Sequence, residues 1–158
     1  MVIDFNSIKT LYLANSEVEE LYINGSKVWE KPASFFTVQS RTPNVTISFV
    51  AQGSPSQRDL EYSVDNGETW NTFTLGSTTV TLTNAGDKML MKGTNSTIAD
   101  TWKNYWKLTF SDDVGVSGNL NSLLGGSEDT LSGSFYGLFD GQTHLIDASE
   151  LVLPWTTF

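Results

Sequence analysis

The chain has 158 residues and a net charge of −9, from 9 Lys or Arg against 18 Asp or Glu. A surface of that sign repels phosphate backbones and argues against a nucleic-acid partner. It contains no cysteine, which removes disulfides, thiolate catalysis and cysteine-ligated zinc or iron–sulfur centres.

The first stretch, "MVIDFNSIKTLYL", lacks the basic region and apolar run of a signal peptide. The expectation is a chain made in the cytosol and not exported by that route. No apolar run approaches the ~20 residues of a membrane helix, so no membrane partner is expected. "LYLANSEVEE" (Leu11–Glu20) is then followed by "LYINGSKVWE" (Leu21–Glu30), with Leu, Tyr, Ser, Val and Glu each recurring ten residues on. Asn24 and Gly25 tolerate the positive φ of a tight hairpin turn. The spacing predicts a three-stranded β-meander over Lys9–Leu13, Val18–Ile23 and Ser26–Glu30, within a segment 1–31. Such a meander is too small to hold itself together. Leu11, Leu13, Leu21, Ile23, Val28 and Trp29 then point to docking on another copy or another protein.

Lys31-Pro32-Ala33-Ser34 reads as a linker. From Phe35 the chain is β-rich. "SFFTVQS", "NVTISFVAQ", "RDLEYSVD", "TWNTFTL", "STTVTLTN", "DKMLMKG" and "NYWKLTFS" are separated by turn signals. Seven short strands at this spacing predict an antiparallel, Ig-like β-sandwich over 35–111. In "NVTISFV", Val45, Ile47 and Phe49 share one face, as a half-buried strand requires. In "TWKNYWKLTF", alternation puts Trp102, Trp106, Leu108 and Phe110 toward the core and Tyr105 outward. Exposed aromatics stack on sugar rings, so Tyr105 is the better candidate receptor contact, and Trp102 joins it in the alternative reading of this segment as a glycan platform. The tail, 117–158, is broken by glycines. In "SFYGLFDG" a helical turn would place Phe135, Leu138 and Phe139 on one face. With Leu145, these residues require cover from a neighbour.

"EYSVDNGETW" (Glu61–Trp70) contains Ser-x-Asp-x-Gly-x-Thr-Trp, the pattern of the Asp-box hairpins of sialidases. A mechanical role accounts for it. Asp65 accepts turn amides, Gly67 supplies positive φ, and Trp70 covers the hairpin. The sialidase family grips a carboxylate with three arginines on a six-bladed propeller. Arg41 and Arg58 are the only arginines here, and six blades of ~40–50 residues do not fit. His144 is the only histidine. A triad of Ser127 or Ser134, His144 and Asp147 lacks a Gly-x-Ser-x-Gly elbow. Asp112-Asp113 and Glu128-Asp129 are carboxylate pairs of the kind glycosidases need, and Asp112 and Asp113 would suit calcium. No Asp-x-Asp-x-Asp-Gly loop accompanies them. The expectation is no enzyme activity, no metal and no cofactor.

"LYLANSEVEELYINGSKVWE" resembles the short repeats that open bacteriophage tail and baseplate proteins. "LEYSVDNGETWNTFTLG", "MLMKGTNS", "SGNLNSLL" and "FYGLFDGQTHLIDASELVLPWTTF" resemble a module of phage fibres and surface proteins of gut anaerobes. There the last stretch begins an irregular leucine-rich repeat array. The resemblance implies an all-β chain with a leucine-rich-repeat-like C-terminal segment. It implies a structural and attachment subunit of a phage virion (tail, baseplate or fibre) assembled in the host cytoplasm. Other tail proteins, further copies in a homo-oligomer, a trimer by likeness to fibres, and a host glycan or protein would be its partners. The alternative is a bacterial surface adhesin or glycan-binding β module.

Overall fold

A computed structural model describes residues 11–13, 16–18, 20–23, 26–30, 35–125 and 133–153. The chain divides into two compact units, Met1–Ser34 and Phe35–Phe158.

In the first unit β1 (Leu11–Leu13) pairs antiparallel with β2 (Ser16–Val18), and β3 (Glu20–Ile23) with β4 (Ser26–Glu30). The expected middle strand, Val18–Ile23, is therefore divided. Val18 and Glu20 belong to different two-stranded sheets, and each copy of the ten-residue repeat makes its own hairpin. Leu13 opposes Ser16 and Ile23 opposes Ser26. The tight turn expected at Asn24-Gly25 falls between Ile23 and Ser26 in the sequence. Asn24 and Gly25 themselves lie outside the described residues.

The second unit is an all-β sandwich. The seven expected strands are β5 (Phe36–Ser40), β6 (Val45–Gln52), β7 (Leu60–Ser63), β8 (Asn71–Thr72), β9 (Thr79–Leu82), β10 (Lys88–Gly93) and β11 (Tyr105–Phe110). Two more follow, β12 (Val114–Asn119) and β13 (Leu145–Val152). One sheet has the order β13-β12-β5-β10-β7-β8 and the other β11-β6-β9. Strict alternation builds the space between them. Phe36 and Val38, then Val45, Ile47 and Phe49, then Met89 and Met91, then Trp106, Leu108 and Phe110 are all buried. Each set comes from every second residue of its strand.

The sheet does not stop at residue 111. β12 pairs antiparallel with β5, and β13 pairs parallel with β12, so the larger sheet is mixed. The sequence hides this pair because β12 carries two glycines. Gly118 sits at φ +75°, and a Cβ there would meet the Phe35 carbonyl oxygen at 2.0 Å. Only glycine combines that backbone with that approach.

Residues 133–142 run as successive turns rather than a helical one. Tyr136, Leu138 and Asp140 each donate a backbone bond to the carbonyl three residues back. Gly133, Gly137 and Gly141 all hold positive φ, which interrupts helix propagation. The predicted shared face survives. Leu138 is fully buried, and Phe135, Phe139 and Leu145 pack partly buried against the sandwich core. The chain's own sandwich gives them this cover.

Leu138→Ala should therefore cost about 2–5 kcal/mol in urea denaturation, the price of a core cavity. A change within about 0.5 kcal/mol, as at a surface position, would show that the segment is not packed there.

Candidate functional site

β11 does not begin at Trp102. Thr101 and Asn104 exchange backbone hydrogen bonds of 3.1 and 3.2 Å, closing a tight turn with Trp102 and Lys103 at its tip. The strand starts at Tyr105, and this reverses the expected sides. Trp102 is 66% exposed, while Tyr105 is buried with 8% exposure. Tyr105 does point away from the Trp106 face, but residues 133–140 cover that side. A Cβ on Gly137 would fall 2.1 Å from the Tyr105 ring. The phenol oxygen donates to Asp140 Oδ2 at 3.1 Å, and Tyr136 packs edge-on to the same ring at 5.3 Å. Burial, then the Asp140 carboxylate, pushes the Tyr105 hydroxyl above its ordinary pKa. Tyr105 is thus a support for the surface and Trp102 a part of it.

The surface so built is a depression of about 330 Å³ lined by Thr97, Ala99, Asp100, Trp102, Gly133 and Tyr136, with Thr101 at its edge. That volume lies at the lower end of the ~300–1,000 Å³ of small-molecule sites. Two exposed rings, Trp102 and Tyr136 at 48%, stand beside polar groups. The Lys103 ammonium lies 4.5 Å from the Trp102 ring centre. The walls are held from behind. The Ser134 carbonyl accepts from both Ile98 and Ala99, at 2.8 and 3.0 Å. Asp100 accepts from the Ser56 amide at 2.6 Å and from Arg58. These contacts, the Ser56 amide first, hold its carboxyl below the usual carboxylate range. Trp106 Nε1 donates to the Ser56 carbonyl at 2.8 Å, tying the same loop to the core. A larger depression of about 490 Å³ lies beside Val64, Asn66 and Lys88, but it has no aromatic wall.

Tyr136 was missed as a wall because Gly133, Gly137 and Gly141 break the periodicity around it. The signal available was the run "SFYGLF": Phe135, Leu138 and Phe139 take the inner face and leave Tyr136, the third aromatic, over.

The Asp-box hairpin has the mechanical design expected of it. Asp65 Oδ1 accepts from the Thr69 amide at 3.0 Å and from the Ser63 hydroxyl at 2.6 Å, and Oδ2 accepts from the Thr69 hydroxyl. Ser63 Oγ accepts from the Gly67 amide at 2.8 Å. Asn66 and Gly67 hold φ of 60° and 92°. Trp70 packs edge-on to Phe35 at 4.9 Å, with Lys92 over its ring at 4.1 Å. The side chains of Ser63, Asp65 and Thr69 are spent on the turn itself.

The remaining candidates separate. Asp147 pairs with Arg41 at 2.9 Å and is capped by Ser149, while His144 Nδ1 lies 3.2 Å from Asp113 Oδ1. The triad considered above is not brought together through Asp147. Ser127, Glu128 and Asp129 lie outside the described residues. Both arginines are engaged by carboxylates of the chain, Arg41 by Asp147 and Arg58 by Asp100. Comparison with known proteins gives no match: no family model, no curated protein and no solved structure matches the chain.

Gly67→Ala should destabilise the protein by at least about 1 kcal/mol, because the new Cβ is penalised at positive φ. The nearest atom to it would be 3.7 Å away, so the cost is one of backbone alone. Loss of less than about 0.3 kcal/mol in denaturant melts would contradict the turn geometry.

Asp65 supplies a pH test. The hydroxyl of Ser63, then the hydroxyl and amide of Thr69, hold its carboxyl down at about 2. A depressed folded-state pKa adds stability that is complete above the ordinary carboxylate range and is lost as pH falls toward the folded value. Between about pH 4 and pH 2 the wild type should lose stability more steeply than Asp65→Asn. Parallel acid limbs in the two proteins would show that the carboxylate is not bound in the turn.

Proposed function

We propose that the chain is a structural and attachment subunit of a phage virion, in a tail, baseplate or fibre. The first unit docks, and the sandwich carries a receptor-facing surface. The observation that carries this reading is the N-terminal repeat. Two consecutive ten-residue copies each form one small hairpin, in the stretch that resembles the opening repeats of phage tail proteins. Hairpins of three to five residues per strand are not stable alone. The docking role gives these two hairpins a partner surface to pack on. Further copies of the chain, a trimer by likeness to fibres, or other tail proteins supply that surface.

The reading includes action by binding rather than catalysis. Engagement of both arginines, and of Asp65, Asp100 and Asp147, by the chain's own groups supports it. A second reading, a bacterial surface adhesin or glycan-binding module, is favoured by the Trp102–Tyr136 depression. The two readings share that surface and differ in where the chain resides.

Light scattering of the purified chain, with and without Met1–Pro32, tests the docking role. The full chain should form a defined oligomer and the shortened one a monomer. Monomers in both cases would contradict it, as would failure of antibodies against the chain to label the native particle's tail in electron micrographs. Trp102→Ala tests the receptor surface. Exposed as it is, the substitution should change stability by no more than about 0.5 kcal/mol, yet remove binding to host cells or to their surface glycans. Unchanged binding would remove the depression from the account.

A further inference from the structure

Three donor groups converge at the start of the parallel strand pair. Asp112 and Asp113 immediately precede β12, and His144 immediately precedes β13. One ligand atom from each lies within 4.8 Å of the others. Two of them, Asp113 Oδ1 and His144 Nδ1, are 3.2 Å apart. Metal–ligand bonds of ~2.0–2.1 Å in a tetrahedron put neighbouring donors about 3.3 Å apart. The pair therefore already stands at nearly the spacing of one tetrahedral edge.

The backbone holds this arrangement. Arg41 donates its amide to the Asp113 carbonyl at 2.9 Å, and Val114 donates its amide to the His144 carbonyl at 2.9 Å. The latter bond sits beside the first rung of the ladder, Val114 opposite Leu145. Asp112 is folded back by the Asp113 amide, which donates to its Oδ1 at 2.8 Å. The nearby guanidinium of Arg41 is engaged by Asp147 and Gln39, so its charge is largely balanced. His144 and Asp113 side chains are 42% and 43% exposed, open enough for an ion to enter and keep water.

We propose that Asp112, Asp113 and His144 bind a divalent transition-metal ion of the zinc type, which clips β13 to β12 at the first rung of their pairing. Imidazole with carboxylates suits zinc or cobalt, whereas calcium takes oxygen ligands and makes poor use of an imidazole. Three protein donors leave coordination positions for water. The parallel pair is the place where such a clip matters. It joins strands distant in sequence, and no tight turn closes it.

The test is a titration of the intact, chelator-treated chain with Co²⁺, followed by visible absorption and displaced by Zn²⁺. Thermal melts with Zn²⁺ and with Ca²⁺ accompany it, on wild type, His144→Gln and Asp112→Asn. Circular dichroism confirms that both variants fold, as expected for surface positions. The wild type should bind one Co²⁺, and Zn²⁺ well above its dissociation constant should raise its melting temperature by a few degrees. Each variant should bind about tenfold more weakly or worse and lose most of that rise. No Zn²⁺-dependent change in wild type would overturn the proposal and leave Asp113–His144 as an ion pair only. An equal rise in wild type and His144→Gln, or a Ca²⁺ response matching that of Zn²⁺, would overturn it too.

Discussion

Gly137 approaches the Tyr105 ring so closely that no side chain fits between them. That contact lets residues 133–138 lie flat along the edge of β11. Leu108 donates its amide to the Leu138 carbonyl at 2.9 Å, while Ile98 and Ala99 share the Ser134 carbonyl. Leu138 drops into the core beneath, and Phe135 and Phe139 flank it. An open edge of the smaller sheet is thereby covered, which is how β proteins avoid pairing with strangers. The same crossing carries the chain from the smaller sheet back to the larger one, where β13 joins β12.

Both surface features follow from this strap. It sets Tyr136 beside the Thr101–Asn104 turn, so the aromatic depression has its second wall. It also delivers His144 to the two aspartates before β12. Neither arrangement belongs to the seven-strand sandwich alone. The proposed receptor surface and the proposed metal clip lie at the two ends of one excursion, at Gly133–Tyr136 and at His144. The Asp-box stands apart from both. Its Ser63, Asp65 and Thr69 side chains bond within the hairpin, so a motif known from glycan-cleaving enzymes does here the work of a turn.

The sandwich strands were legible because their chemistry is local. Val45, Ile47 and Phe49 alternate with Thr46 and Ser48, and turn residues mark each end, so period and punctuation agree. Trp106, Leu108 and Phe110 fell on the core face for the same reason. The candidate site was only half legible. Trp102 was named, but alternation was carried three residues too far, through a turn held by Thr101 and Asn104. Tyr105 was expected outside because its cover, ending at Asp140, comes from 35 positions downstream. No local pattern encodes that cover. The parallel pairing was hidden for a related reason. β12 spends two of its positions on glycine, Gly118 against the Phe35 carbonyl and Gly115 against the Arg41 guanidinium, and β13 reads "LIDASELV" without clean alternation. The ten-residue repeat announced strands correctly. Whether the copies share a sheet depends on pairing across residue 19, which composition does not fix.

Hydrogen exchange of the Ile98, Ala99 and Leu108 amides, in wild type and in Gly137→Ala, tests the strap most directly. These three amides bond to carbonyls of residues 134 and 138. The account predicts protection in wild type close to that of the core strands, lost at all three together in the variant. Fast exchange at these amides in wild type, or protection untouched by Gly137→Ala, would contradict it.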